Sequence, residues 1–147
     1  MEYTLKPIGV IHTPFTDKAR TPIQAARSQA VGCAEVYSEF AAGLQDLEGF
    51  SHIFLVYVLH QVEGYALQVI PFLDDQAHGV FATRYPARPN ALGLSVVRLL
   101  ARRANELEIE GVDMLDGTPL LDIKPYVPEF DVRPATRVGW YETRSKA

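Results

Sequence analysis

Four short segments of the chain hold side chains whose types and spacing suit chemistry. Gly79 to Ser95, reading GVFATRYPARPNALGLS, crowds Arg84, Arg88 and Asn90 together with Pro86, Pro89, Gly79 and Gly93. A guanidinium presents a rigid fork of N–H donors, which suits a carboxylate or phosphate ligand. His60-Gln61 ends the most apolar run of the chain. An imidazole there serves either acid–base work or the plain closure of a core strand. Asp116-Gly117-Thr118-Pro119 sets a carboxylate beside a glycine, whose bare Cα lets backbone approach a ligand. As a tetrapeptide it is also an ordinary β-turn. Asp122 and Lys124 alternate with apolar neighbours, so they share one strand face and suit an ion pair.

Other chemistries lack their residues. There is no Gly-rich phosphate loop and no Gly-x-Ser-x-Gly elbow. His12, His52, His60 and His78 are scattered, and the single Cys33 supplies no Cys-x-x-Cys pair, so no metal site is expected. A lone cysteine forms no internal disulfide. Cys33 reads as a small buried residue in a reducing cytoplasm.

The elements that must position these groups are mostly strands. Leu5 to His12 is rich in branched residues and stops at Thr13-Pro14. Thr16 to Val31 is polar and reads as a long loop of the kind that carries function. Cys33 to Tyr37 alternates as a strand does. Ser38 to Gly43 suits a short helix capped by Ser38 and stopped by Gly43. Ser51 to His60, SHIFLVYVLH, reads as a buried central strand, and Leu67 to Phe72 as an edge strand limited by Pro71. Val80 to Ala82 enters the arginine segment as a strand, and Leu94 to Leu100 leaves it as another. Ser95 to Val112 is read as a hairpin turning near Ala104-Asn105, with a bulge at Gly111. Leu120 to Ile123 is a last short strand before Pro125. Many short strands with little helix predict a mainly β, single-domain β-barrel over residues 1–147.

Bulk properties agree with one domain. Of 147 residues, 48% are hydrophobic, enough for a substantial core. No apolar run reaches the length of a membrane span, and no signal segment follows Met1, so no membrane partner is expected. Net charge is −4, which argues against strong non-specific binding of nucleic acid. The net charge leaves room for a local basic surface, since Arg84, Arg88, Arg98, Arg102 and Arg103 lie close in sequence.

Taken in order, four blocks carry a resemblance. They are IGVIHTPF (Ile8 to Phe15), GLQDLEGFSHIFLVYVLHQ (Gly43 to Gln61), GVFATRYPARPNALGLSVVRL (Gly79 to Leu99) and DMLDGTPLLDIKPYVPEFD (Asp113 to Asp131). Across residues 5–131 the chain closely resembles the TrmO/TsaA-like family of tRNA methyltransferases. The resemblance implies a β-barrel that binds S-adenosylmethionine, a homodimer with the cofactor near the subunit contact, and tRNA as partner. The implied activity is methylation of N6 of threonylcarbamoyladenosine beside the anticodon.

Carried over residue by residue, the implied cofactor site comprises Pro22, Ile23 and Gln24, then His60 and Gln61, Arg84, Leu94, and finally Leu115, Asp116, Gly117 and Thr118. Arg84 would pair with the amino-acid carboxylate of the ligand, and Asp116 would accept from its ribose hydroxyls or amino group. Backbone around Leu94 and Leu115 would read the adenine edge. His60, Asp116 and Asp122 are candidates for a base that takes the N6 proton, and the sequence selects none of them. The chain has Ile23 where the family pattern commonly has Arg, and Ala91-Leu92 where it commonly has Pro-Ile. Bacterial members often carry a further C-terminal domain, which these 147 residues do not include. That and the acidic charge favour a second expectation, the same barrel acting on another substrate; a third is a non-catalytic S-adenosylmethionine-binding module.

Overall fold

Side-chain alternation drives the first of two units into a closed barrel. The computed structural model describes residues 1–16 and 28–143. The first unit is Met1–His60 with Leu92–Tyr126, and the second is Gln61–Ala91 with Val127–Ala147.

In the first unit, β1 (Gly9–His12), β2 (Val31–Val36), β3 (His52–Val58), β6 (Leu92–Arg103), β7 (Glu106–Glu110) and β8 (Thr118–Pro125) close in the order β1-β2-β7-β6-β3-β8. All neighbours run antiparallel. Ile53, Leu55 and Tyr57 of β3 point inward, while His52, Phe54, Val56 and Val58 lie on the outer face. Ile11, Ala34, Leu107, Ile109 and Leu120 meet them inside, each with no exposed surface. Each such aliphatic side chain larger than alanine contributes about 1.5–3 kcal/mol on burial. The mainly β barrel expected from the pattern is therefore the observed fold.

The expected hairpin turns at Ala104-Asn105. Ala104 takes the left-handed conformation with φ 56°, and Asn105 Nδ2 donates to the Val36 carbonyl at 2.7 Å. The bulge falls elsewhere than at Gly111. The register slips in β6 between Leu99 and Ala101, and Gly111, with φ 94°, lies past β7 in the connection to β8. The Ser38–Leu44 helix is of the 3-10 type. Tyr37 is its N-cap with no side-chain bond, so Ser38 does not cap it, and buried Leu44 carries the turn past Gly43. The β3 strand ends at Val58, leaving His60 in an exposed turn.

In the second unit, the expected Leu67 to Phe72 strand shrinks to β4 (Gln68–Val69), paired only with β5 (His78–Gly79). Pro71 has no N–H to extend that ladder. Val80–Ala82 forms a 3-10 turn rather than a strand. Thr83 closes it, donating both its N–H (3.1 Å) and its Oγ1 hydroxyl (2.8 Å) to the Val80 carbonyl. Arg88 braces the loop beyond, with Nη1 donating to the carbonyls of Thr83 at 2.9 Å and Tyr85 at 3.0 Å. Within the same unit Trp140 stacks on His78 with ring centroids 5.0 Å apart, and its Nε1 donates to the Ala82 carbonyl at 2.7 Å. Asp74 holds the other side of His78, 2.6 Å from Nε2.

Candidate functional site

The Leu115–Thr118 turn is built from two directions. Within it, the Thr118 hydroxyl donates to the Leu115 carbonyl at 2.6 Å, and Gly117 takes φ 82°, a conformation that side chains with a Cβ rarely adopt. From outside, the end of β1 and the residues just after it clamp it. Asp116 N donates to the Phe15 carbonyl at 2.7 Å, and Gly117 N donates to the Ile11 carbonyl at 2.9 Å. Thr13 binds both sides of the turn, its N–H reaching Asp116 Oδ1 at 3.0 Å and its hydroxyl reaching the Met114 carbonyl at 2.8 Å. His12 adds a weaker tie, with Nδ1 3.7 Å from Asp116 Oδ1 and Nε2 3.1 Å from Glu35 Oε1.

This clamp leaves chemistry facing outward. Asp116 is exposed, and its Oδ2 has no partner among the described residues. Among the described residues, no atom beyond Gly117 and its two chain neighbours lies within 4 Å of where a Cβ on Gly117 would stand. A ligand can thus reach the backbone of the turn and an oriented carboxylate oxygen together. Those acceptors fit the hydroxyls or ammonium group of a nucleoside-like, amino-acid-bearing ligand.

The first unit holds Leu94, His60 and the Leu115–Thr118 turn. Leu94 lies on the outer face of β6 opposite Val56, with 61% of its surface exposed. The second unit holds Gln61 and the exposed Arg84. Pro22, Ile23 and Gln24 lie outside the described residues. Asp122 sits on the outer face of β8 opposite Val56, where its Oδ2 is 3.5 Å from Lys124 Nζ, as the alternation suggests.

Residues not singled out as site residues in the sequence lie behind the site. Tyr57 of β3, Ser95 of β6 and Asp113 of the β7–β8 connection form one hydrogen-bonded group. Burial, and then the nearby Asp113 carboxylate, push the Tyr57 phenol well above its usual value, so it stays a proton donor. Gly93 makes room for the Tyr57 ring, which a Cβ at that position would overlap. In the sequence Thr13 stands in the Thr13-Pro14 stop and in the IGVIHTPF block, with no site role. Cys33 is half-buried, and burial followed by Glu106, Glu35 and Glu108 raises its thiol above the usual range. It is a weak nucleophile, in keeping with a structural role.

Residues 10–132 match the sequence profile of the tRNA-methyltransferase O N-terminal domain. The chain belongs to the TrmO family. A Pyrococcus abyssi relative named as a probable S-adenosyl-L-methionine-binding protein is 56% identical over 138 residues, covering 93% of this chain and 75% of the relative. A mouse protein named tRNA (adenine(37)-N6)-methyltransferase is 37% identical over 134 residues, or 86% of this chain, and the chain spans 31% of that relative. The crystal structure of TrmO from Pseudomonas aeruginosa matches with a TM-score of 0.80 at 40% identity, covering 95% of this chain and 62% of that one. The resemblance read from the four blocks is thereby confirmed, and the cofactor it implied is the ligand named in the archaeal relative. The chain spans less than two thirds of that TrmO structure.

Proposed function

We propose that this TrmO-family chain is an S-adenosylmethionine-dependent methyltransferase that methylates N6 of threonylcarbamoyladenosine beside the tRNA anticodon. The observation that carries the reading is the Leu115–Thr118 turn, which lies within the residues matched to the family and is locked to the end of β1 and the residues after it, with one Asp116 oxygen left for a ligand. The name of the mouse relative supports the tRNA adenine as target. The family match draws residues from both units, and we assign residues 1–147 to one functional domain.

S-adenosylmethionine supplies a methyl group already activated on a sulfonium. The protein's task is then mainly to bind and orient. Asp116 accepts from ribose hydroxyls or the ligand amino group, Gly117 admits the ligand to the backbone, and backbone near Leu94 and Leu115 reads adenine. Arg84 pairs with the carboxylate. His60, Gln61, Thr118, Pro22, Ile23 and Gln24 complete the assignment by the family motif. Of the candidate bases, Asp122 is engaged by Lys124, and Asp116 is the one held within the fixed turn.

The proposal includes a homodimer, supported by the exposed Leu92 and Leu94 on the outer face of β6. It also places the protein in the cytoplasm, which the unpaired Cys33 suits. No helix among the described residues is long and apolar enough to cross a membrane. The net charge of −4 favours a second reading, in which the same barrel methylates a substrate other than tRNA. Mass analysis of tRNA nucleosides from cells with and without the protein separates the two. The first reading expects the N6-methylated threonylcarbamoyl nucleoside to vanish without it, and an unchanged level sinks that reading.

A further inference from the structure

Tyr57, Ser95 and Asp113 form a buried polar chain that the assigned cofactor residues do not include. Ser95 Oγ lies 2.7 Å from Tyr57 Oη and 2.7 Å from Asp113 Oδ1. Tyr57 is 5% exposed and Ser95 4% exposed. A carboxylate only accepts hydrogen bonds, so the Ser95 hydroxyl gives its single proton to Asp113. The Ser95 oxygen must then accept from Tyr57. The protons run from Tyr57 to Ser95 to Asp113, with Tyr57 Oη also 3.4 Å from Asp113 Oδ1, and both buried hydroxyls are satisfied.

The placement of this chain is informative. Ser95 directly follows Leu94 on β6, and Asp113 comes two residues before Leu115. The Ser95–Asp113 bond therefore ties the strand bearing one assigned cofactor residue to the connection leading into the others. The Thr13, Phe15 and Ile11 bonds fasten the same turn to β1. The turn is held from two strands, and the β6 anchor is the polar chain.

We propose that Asp113, held by Ser95 and Tyr57, is a positioning residue for S-adenosylmethionine that sets Leu94 against the Leu115–Thr118 turn. This rests on the reading that those residues bind the cofactor. A purely structural role predicts loss of stability without a specific loss of affinity. The positioning role predicts a loss of affinity beyond what equal destabilisation brings.

Calorimetric titration with S-adenosylmethionine tests it, alongside thermal melts. Ser95→Ala and Asp113→Asn should each weaken binding roughly tenfold, and the double variant should lose less than the product of the two, because both remove the Ser95–Asp113 bond. Tyr57→Phe keeps the ring against Gly93 and should lose less. Ile109→Val, a core change away from the chain, should lower the melting temperature and keep wild-type affinity. If Asp113→Asn does not fold, Ser95→Ala and Tyr57→Phe carry the same test. Wild-type affinity in the folded variants overturns the inference and leaves the cofactor reading standing. No binding by the wild-type protein overturns both.

Discussion

The backbone N–H of Thr13 donates to Oδ1 of Asp116 at 3.0 Å, joining residues 103 positions apart. One short bond thus fixes the carboxylate of a surface turn to the end of the first barrel strand. The turn does not depend on its own residues alone for its shape. Ile11 and Phe15 take its backbone N–H groups, and Thr13 takes its side chain and the Met114 carbonyl.

Asp116→Ala removes the acceptor for Thr13 N–H and the oxygen facing the ligand. Stability should fall by about 1 kcal/mol, the scale of one partly exposed hydrogen bond. Asp116→Asn keeps an acceptor and should lie near wild type in urea unfolding. Both should weaken S-adenosylmethionine binding if the negative charge is used. Equal affinity in the Asn variant would limit the role of Asp116 to holding the turn.

Gly93→Ala forces a methyl into the Tyr57 ring. Overpacking of a barrel interior costs about 1–3 kcal/mol, so a clear drop in melting temperature is expected. An unchanged melt would show that the ring moves aside freely.

The raised phenol of Tyr57 has a pH signature. An unfolded tyrosine ionises near pH ~10, whereas the folded protein keeps this proton to higher pH. Below that unfolded value the contribution to stability is fully present. Above it the unfolded chain releases a proton that the native state retains, so stability falls as pH rises. Urea melts between about pH 8 and about pH 11 should show this fall, and Tyr57→Phe should lose its share of it.

The two arginines of the ATR-x-P-x-RPN segment should separate cleanly. Arg88 donates to the Thr83 and Tyr85 carbonyls, so Arg88→Ala should raise hydrogen exchange over residues 83–90. Arg84→Ala should weaken S-adenosylmethionine binding roughly tenfold or more, the worth of a charge-assisted pair. Unchanged affinity in Arg84→Ala would remove it from the site.

Much of the barrel is legible because its strands obey a period of two. SHIFLVYVLH gives β3, and the Ala104-Asn105 hairpin follows from the strand patterns on each side. What misleads is local. Val80 to Ala82 is as apolar as a strand, and only the Thr83 bonds to Val80 show why it curls. The β6 bulge has no glycine to announce it. In the site, Asp116 and its turn are readable as a motif. Thr13, Tyr57, Ser95 and Asp113 are not, because each acts through a partner distant in sequence, such as the 38 positions between Tyr57 and Ser95.

The central claim is methyl transfer to tRNA, and transfer of a labelled methyl from S-adenosylmethionine tests it most directly. Purified protein is incubated with tRNA carrying threonylcarbamoyladenosine, and the tRNA is digested to nucleosides. The account predicts label on N6 of that nucleoside, lost with Arg84→Ala. Protein that binds S-adenosylmethionine yet leaves this tRNA unlabelled would contradict it.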